Sequence, residues 1–348
     1  IQDFYNLIDV YMDAVLYPLI PPHTLQQEGW HYELDGPDAP LAYKGVVFNE
    51  MKGVYSDPDN LVGERARQSL FPDNTYGVDS GGNPRHIPDL TYAQFKGFHE
   101  TYYHPSNSFI YFYGDDDPEQ RLRLMDAYLK EYKAIQVDSA VTLQGRFDQP
   151  RRVVVSYDPG EEAQGKKGML VVNWLLPDTS NAELMLGLTI LDHILIGTPA
   201  SPLRKALIDS GLGEDLAGVG LEQDLRQMMF STGMKGMLVG EDYALADENK
   251  LQSLVLETLE RLTRDGIDPD TVAASLNTTE FRLRENNTGA FPRGLLIMLR
   301  ALRTWLYDGD PLAPLAFEAP LNAIKDRLAA GERYFENLIQ EHFLGNTH

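Results

Sequence analysis

Glu50 is the carboxylate whose position in the sequence points most directly to chemistry. The periodicity predicts a helix over 41–55 whose apolar positions include Val46, Val47 and Val54. Glu50 stands four residues after Val46 and four before Val54, so it falls in the middle of that apolar stripe. Burying an unpaired carboxylate there would cost several kcal/mol. Periodicity alone leaves open three ways to compensate this charge: a metal ion, an arginine from elsewhere in the chain, or a position at the rim where the carboxylate reaches solvent.

The histidines do not show the spacing of a common metal motif. His99 and His104 are five residues apart, which does not place both imidazoles on one face of a helix. Neither His-Glu-x-x-His nor His-x-x-Glu-His occurs in the chain. We therefore expect structural roles for these two residues, a place at the edge of the core for His193, and surface positions for His342 and His348.

The composition limits the available metal ligands and partners. The 348 residues include no cysteine, so disulfides, thiolate catalysis and cysteine-ligated metals are excluded. Any metal must be held by His, Asp or Glu. The net charge of −22 argues against a nucleic-acid-binding surface. The longest apolar stretches, 184–196 and 295–306, are interrupted by polar residues and too short to cross a membrane. We expect neither nucleic acid nor membrane as a partner.

Strand-like and helical segments are interleaved along the chain. Apolar or alternating patterns predict strands at 108–113, 152–157, 169–176 and 228–239, with amphipathic helices between and after them. Short strand–helix–strand units do not repeat, which favours an α+β fold over a doubly wound parallel sheet. The weakly periodic stretch 136–149 is expected to link two domains.

Several strings, occurring in order along nearly the whole chain, resemble the presequence protease branch of the pitrilysin/insulysin-type zinc metallopeptidases. The strings are QEGWHYE at 27–33, KGVVFNEMKGVYS at 44–56, YGVDSGGNP at 76–84, FHETYYHPSN at 98–107, GTPASPLR at 197–204 and ENNTGAFPR at 285–293. The resemblance implies four related α+β domains in two halves that close around a chamber. Each domain is expected to be an antiparallel-rich sheet packed with helices.

The resemblance also implies a zinc site. In this family two histidines of an inverted His-x-x-Glu-His motif and a glutamate on a later helix bind Zn²⁺. The later helix carries the string Asn-Glu-Met-Lys-Gly, which here is 49–53, so Glu50 is implied as the third zinc ligand. The resemblance assigns 1–140 to the later part of the first, zinc-site domain, which would be incomplete at its N-terminus, and 150–348 to a second pitrilysin-like domain.

The chain departs from the family pattern because the His-x-x-Glu-His segment is absent. We therefore expect an inactive fragment of a zinc-dependent endopeptidase, with the missing N-terminal segment and C-terminal half of the same polypeptide as its partners. The whole protein would degrade short unfolded peptides, such as targeting peptides, inside a closed chamber. The alternative is a non-catalytic pitrilysin-like subunit or scaffold. The expected compartment is the bacterial cytoplasm, with an organelle matrix as the alternative.

Overall fold

The computed structural model describes residues 2–158, 168–240, 244–286 and 288–348. They divide into two compact units, of which the first comprises Ile1–Asp57 and Val78–Ala140 and the second Pro58–Gly77 and Val141–His348. The second unit therefore includes a segment, 58–77, from far upstream of the expected linker. This division does not test the assignment of 1–140 and 150–348 to two family domains, which stays a prediction.

The helices and strands of the first 140 residues are, in chain order, α1 (Gln2–Leu16), α2 (Pro22–Thr24), β1 (His31–Glu33), β2 (Ala42–Lys44), α3 (Val46–Val54), α4 (Pro58–Leu70), α5 (Tyr92–Tyr102) and α6 (Pro118–Leu129). Those of the remaining residues are β3 (Gly168–Asp178), α7 (Ala182–Ile196), α8 (Pro202–Ser210), β4 (Asp215–Glu222), β5 (Gln227–Met237), α9 (Glu248–Asp265), α10 (Pro269–Glu285), α11 (Arg293–Trp305), α12 (Glu318–Ala329) and α13 (Tyr334–Ile339).

In the first unit, a short antiparallel hairpin of β1 and β2 leads directly into the helix that carries Glu50. The chain passes through Gly45, where an added side chain would collide with neighbouring backbone, and α3 begins at Val46. The helix predicted over 41–55 is therefore wrong at its start. Residues 42–44 form a strand because their backbone pairs with β1.

The rest of the first unit is helical. α5 begins with a capping box, in which Thr91 and Gln94 exchange side-chain and backbone hydrogen bonds. The hydroxyl of Tyr128, on α6, donates to Asp9 Oδ1 on α1 at 2.6 Å. This bond and the packing of α1 on α6 hold the two helices together.

A three-stranded antiparallel sheet with the order β3-β5-β4 forms the centre of the second unit. The strands predicted at 169–176 and 228–239 are confirmed as β3 and β5, and helices packed on antiparallel sheets confirm the α+β class. The apolar pattern does not predict β4, because glycines interrupt its alternation. Within the residues described, no helix is both long and apolar enough to cross a membrane.

The strands predicted at 108–113 and 152–157 are wrong. Both segments have the residue pattern of a strand. Apolar side chains such as Phe109 and Val154 are exposed, however, and neither segment belongs to a β-ladder in the described structure. A strand needs a neighbouring strand to complete its hydrogen bonding, and residue pattern alone does not show whether that neighbour exists.

Helices cover both faces of the second unit's sheet. Trp174 and Phe230 point to one face, where they join the main core with α7, α9, α12 and α13. Their neighbours Leu175 and Met229 point to the opposite face, as the alternation of side chains in a strand requires. There they pack against α4, whose end is buried through Phe71.

Candidate functional site

Glu50 lies on the exposed face of α3. The buried side of this helix is formed by Phe48 and Met51, which pack against Ile87. Val46 and Val47, on the same side as Glu50, are 45% and 36% exposed. The stripe is therefore only partly buried within the described residues: Val54 packs on the Phe48, Met51 and Ile87 cluster, and the part that includes Val46, Val47 and Glu50 is exposed. An apolar surface with a carboxylate in its middle remains open to solvent.

The Glu50 carboxylate has no hydrogen bond and no ion pair to any residue that the structure describes. The nearby Lys44 is engaged elsewhere, since its Nζ lies 3.5 Å from Glu33 Oε1 on the hairpin. Of the three solutions left open by the sequence, an arginine partner is therefore not present in the described part of the chain. The carboxylate head is solvated and available to an incoming cation.

A complete metal centre is not assembled by the described residues. No group of three or more His, Asp or Glu side chains there could hold a metal ion. A catalytic zinc site needs three protein ligands and one open position. Glu50 fits a single ligand position, because it is ionisable, unpaired and accessible. The remaining ligands of such a site would have to come from outside these residues.

An aromatic group beside α3 is a feature that the sequence reasoning missed. It consists of Trp30, Tyr32, Tyr43 and Phe48, and we refer to it as the aromatic ledge. Tyr32 and Tyr43 lie opposite each other in the hairpin with ring centroids 5.1 Å apart, and Tyr43 lies 5.9 Å from Phe48. The Tyr32 side chain beside it raises the pKa of the Tyr43 hydroxyl. The signal in the sequence is the alternation of aromatic residues across two short segments separated by a Gly-Pro turn.

The aromatic ledge is suited to bind apolar side chains. Tyr32 and Tyr43 are more than two-fifths exposed, so their ring faces are open to solvent. Aromatic rings offer large apolar contact areas at small entropic cost. The ledge reaches α3 through Phe48, and it therefore lies on the same continuous stretch of chain as Glu50.

His99, His104 and His193 make structural contacts within their own units. His99 Nε2 contacts the backbone carbonyl of Val15 at 3.1 Å, and His104 Nδ1 accepts from the backbone N–H of Ser106. Both contacts fit the structural roles expected for them. His193 Nδ1 lies 2.9 Å from Ser275 Oγ, as expected for a histidine satisfied at the edge of the core.

The surface positions expected for His342 and His348 are wrong. Both residues are buried, and burial lowers the pKa of each imidazole. His348 Nδ1 accepts from the backbone N–H of Phe147, and its Nε2 donates to the Leu70 carbonyl at 2.8 Å. Its ring also stacks on Phe147. Tertiary packing of residues 342–348, which the local pattern does not show, explains both positions.

The family comparison agrees with this architecture. A family model described as "Peptidase M16 inactive domain" matches residues 89–278, which is more than half of the chain. Among solved structures, the first half of the periplasmic protease PqqL from Escherichia coli covers 98% of this chain and 68% of its own, with a TM-score of 0.63 and 13% identity. Pitrilysin covers 95% of this chain and 34% of its own, with a TM-score of 0.54 and 16% identity. At these identities the similarity shows the fold alone, which is the predicted pitrilysin type.

Curated proteins found by sequence are more similar to this chain in sequence than these solved structures are. Presequence protease 1, chloroplastic/mitochondrial, of Arabidopsis thaliana is 50% identical over 357 residues, covering 100% of this chain and 32% of that protein. Protein HypA of Clostridium perfringens is 39% identical over 351 residues, covering 100% and 35%. The mitochondrial presequence protease of Danio rerio is 34% identical, covering 100% and 34%. The chain thus spans about a third of the length of these curated relatives. The chain belongs to the M16 peptidase family.

Proposed function

We propose that this chain is part of a zinc-dependent endopeptidase that degrades short unfolded peptides, and that Glu50 is one of its zinc ligands. The observation that carries the proposal is the position of Glu50, exposed beside Val46 and Val47 and bound by no described residue. If another segment covered this apolar face, the Glu50 carboxylate would be buried without a partner, which is costly unless a cation binds to it at the same time. Membership of the M16 peptidase family supports the assignment.

When bound, zinc would supply a water of lowered pKa and an electrophile for the scissile carbonyl. This chain would contribute one oxygen ligand and a negative charge from Glu50. Phe48 and Met51 pack against Ile87, so the backbone that carries Glu50 is held from the buried side of α3. We propose that the histidine ligands and the general base belong to a His-x-x-Glu-His segment elsewhere in the same polypeptide. The chain alone is expected not to hydrolyse peptides.

We assign the exposed apolar face of α3 to contact with that segment of the same polypeptide. Val46 and Val47 offer apolar area there, and Glu50 lies between them and the end of the helix. Burial of apolar area is the main favourable term in such packing. The coverage of about a third of each relative leaves most of the polypeptide to provide the covering segment and the other half of a closed chamber.

As substrates we propose basic amphipathic peptides, such as targeting peptides. The first 43 residues contain seven Asp and Glu and no Lys or Arg, and the aromatic ledge lies partly within them. Complementary charge speeds encounter and fixes orientation, and aromatic faces accept the apolar side chains. Relatives named as presequence proteases are consistent with this substrate class. The bacterial cytoplasm, with an organelle matrix as the alternative, stays the proposed compartment.

The test uses the complete polypeptide from which this chain comes. Two unfolded peptides of equal length and opposite net charge are compared with a folded protein as substrates, with and without a chelator. We expect cleavage of the basic peptide to be about tenfold faster than that of the acidic one, no cleavage of the folded protein, and loss of all cleavage after chelation. Cleavage that survives removal of zinc would contradict the proposal.

A non-catalytic scaffold is the second candidate function. It is favoured by the description of the matched family as an inactive domain and by the lack of a three-ligand group among the described residues. A complete polypeptide that contains no stoichiometric zinc and cleaves neither peptide would support it.

A further inference from the structure

Gly81 lies against the buried side of α3, within the first unit. A Cβ atom added at this position would collide with Met51 Sδ and lie 2.9 Å from Met51 Cε, well inside ordinary van der Waals contact. Met51 is 9% exposed and forms, with Phe48 and Ile87, the cluster that supports the helix. The close approach of this loop to the Met51 side chain therefore requires a residue without a side chain.

The loop that carries Gly81 is fixed by its own hydrogen bonds. Asp79 Oδ1 accepts from the backbone N–H of Gly81 at 2.9 Å, and the Asp79 carbonyl accepts from the N–H of Gly82 at 3.1 Å. Further along, the Asn83 carbonyl accepts from the N–H of Ile87 at 3.0 Å. The buried Ile87 side chain then joins the end of the loop to the cluster. A loop bonded in this way yields little when the Met51 side chain presses on it.

The start of α3 is fixed by a second close approach, also within the first unit. A Cβ atom added at Gly45, the residue before the helix, would collide with the Gly29 carbonyl oxygen and lie 2.8 Å from Trp30 Cα. These neighbours are backbone atoms, which cannot rotate aside as the end of a side chain can. The N–H of Asn49 donates to the Gly45 carbonyl at 3.0 Å and ties the first turn of α3 to this point. A push on Met51 is therefore expected to tilt the helix about its fixed start.

We propose that Gly81 is a positioning residue for Glu50. Because Met51 follows Glu50 directly in the chain, the depth at which the Met51 side chain lies against Gly81 sets the position of the Glu50 backbone. Gly81 acts through Met51 and is not itself a ligand. Displacing a group in an active site by about 1 Å can cost about a hundredfold in rate. The inference rests on the proposed role of Glu50 as a zinc ligand.

The test compares Gly81→Ala with the double variant Gly81→Ala/Met51→Ala in the complete polypeptide. The added methyl group should displace Met51 and with it Glu50, whereas shortening Met51 removes both atoms that the methyl group would meet. The matched control is Gly97→Ala on α5, where an added Cβ has no neighbour among the described residues within 4 Å. Chelator competition measures zinc affinity, a basic peptide at saturating zinc gives kcat and KM, and urea unfolding gives the folded fraction.

The inference predicts that Gly81→Ala binds zinc at least about tenfold more weakly than the parent and loses more in kcat than it changes in KM. The double variant should recover zinc affinity to within about threefold of the parent, although it carries two substitutions. Gly97→Ala should stay within about twofold of the parent in all three quantities. A merely structural role for Gly81 would not produce recovery on shortening Met51.

If Gly81→Ala does not fold, the double variant decides alone: a folded protein with recovered zinc affinity supports the inference, and one that also fails to fold overturns it. Zinc affinity of Gly81→Ala within about twofold of the parent, or equal losses in the single and double variants, would overturn the inference while weakened binding in Glu50→Gln leaves the proposed function standing. Unchanged zinc affinity in Glu50→Gln would overturn the proposed function as well.

Discussion

Asp73 and Gln144 bind each other at two points. The backbone N–H of Asp73 donates to Gln144 Oε1 at 2.9 Å, and Gln144 Nε2 donates to Asp73 Oδ2 at 2.6 Å. Gln144 is only 3% exposed, and its own backbone N–H donates to Gln227 Oε1 at 2.6 Å. Through this pair residues 58–77, the start of 141–348 and strand β5 share one hydrogen-bond network centred on the buried Gln144 side chain.

Gln144→Ala is expected to destabilise the second unit by about 1–3 kcal/mol, because it leaves the backbone N–H and carboxylate of Asp73 without their buried partner. Urea unfolding followed by fluorescence measures the change. The control is Gln252→Ala, at an exposed position of α9, where the expected change stays within about 0.5 kcal/mol. Equal stability of the two variants would show that the Asp73 pair is not needed.

Phe71→Ala is expected to lower the free energy of unfolding of the second unit by about 3–5 kcal/mol, because it opens a cavity between residues 58–77 and the sheet. Phe71→Leu should recover most of the loss. Phe281 is 62% exposed, so Phe281→Ala serves as the control of matched chemistry. Thermal or urea unfolding distinguishes the variants, and a loss below about 1 kcal/mol for Phe71→Ala would contradict the burial described for this ring.

Acidification through the histidine range is expected to lower stability. Burial lowers the pKa of His342, with Glu341 opposing and Arg146 adding to the effect, and burial and Arg282 lower the pKa of His193. As the pH falls, these histidines therefore take up protons in the unfolded chain before they do so in the folded one. The stability that the neutral, buried histidines contribute is fully present above about pH 6.5 and is lost as the pH falls below that value. Urea midpoints between about pH 7 and pH 5 measure the decline.

His342→Gln tests the origin of that decline. Glutamine does not titrate, so the dependence of the urea midpoint on pH should become shallower in this range, whatever the variant's absolute stability. An unchanged slope would mean that His342 is not among the groups responsible.

Asp192→Asn is expected to stabilise the second unit more at pH 7 than at pH 4. Burial raises the pKa of Asp192, and the hydrogen bond that its Oδ1 accepts from Leu221 N–H at 3.0 Å only partly offsets this. The stability that Asp192 contributes is therefore present while it is protonated and is lost as the pH rises through its folded pKa. Asparagine keeps the acceptor without the charge. Unfolding free energies of both proteins at the two pH values test this, and a difference that does not depend on pH would contradict it.

The sequence could predict those helices and strands whose apolar residues recur at the spacing that burial in the core requires. β3, β5 and α7 lie in the main core, and their patterns identify them directly. β4 is missed because its shape depends on glycines at a bulge, and 42–44 is mistaken for helix because its strand depends on pairing with β1. Long-range pairing of this kind leaves little trace in local spacing.

The candidate site shows the same limit. Its key residue, Glu50, could be singled out from its place in the apolar stripe, and the resemblance of 49–53 to a family string implies its role. The sequence did not reveal that Val46 and Val47 are exposed, because periodicity shows that a face is apolar and does not show what covers it. The aromatic ledge depends on the pairing of β1 with β2, and it was missed for that reason.

The measurement that tests the account most directly is the zinc affinity of Glu50→Gln in the complete polypeptide, determined by chelator competition. Glu100→Gln, which alters an exposed glutamate on α5 that pairs with Lys96, is the control. We predict stoichiometric zinc in the parent and in the control, and binding weaker by at least about a hundredfold in Glu50→Gln, because one of three protein ligands is lost. Zinc affinity in Glu50→Gln equal to that of the parent would remove Glu50 from the metal site.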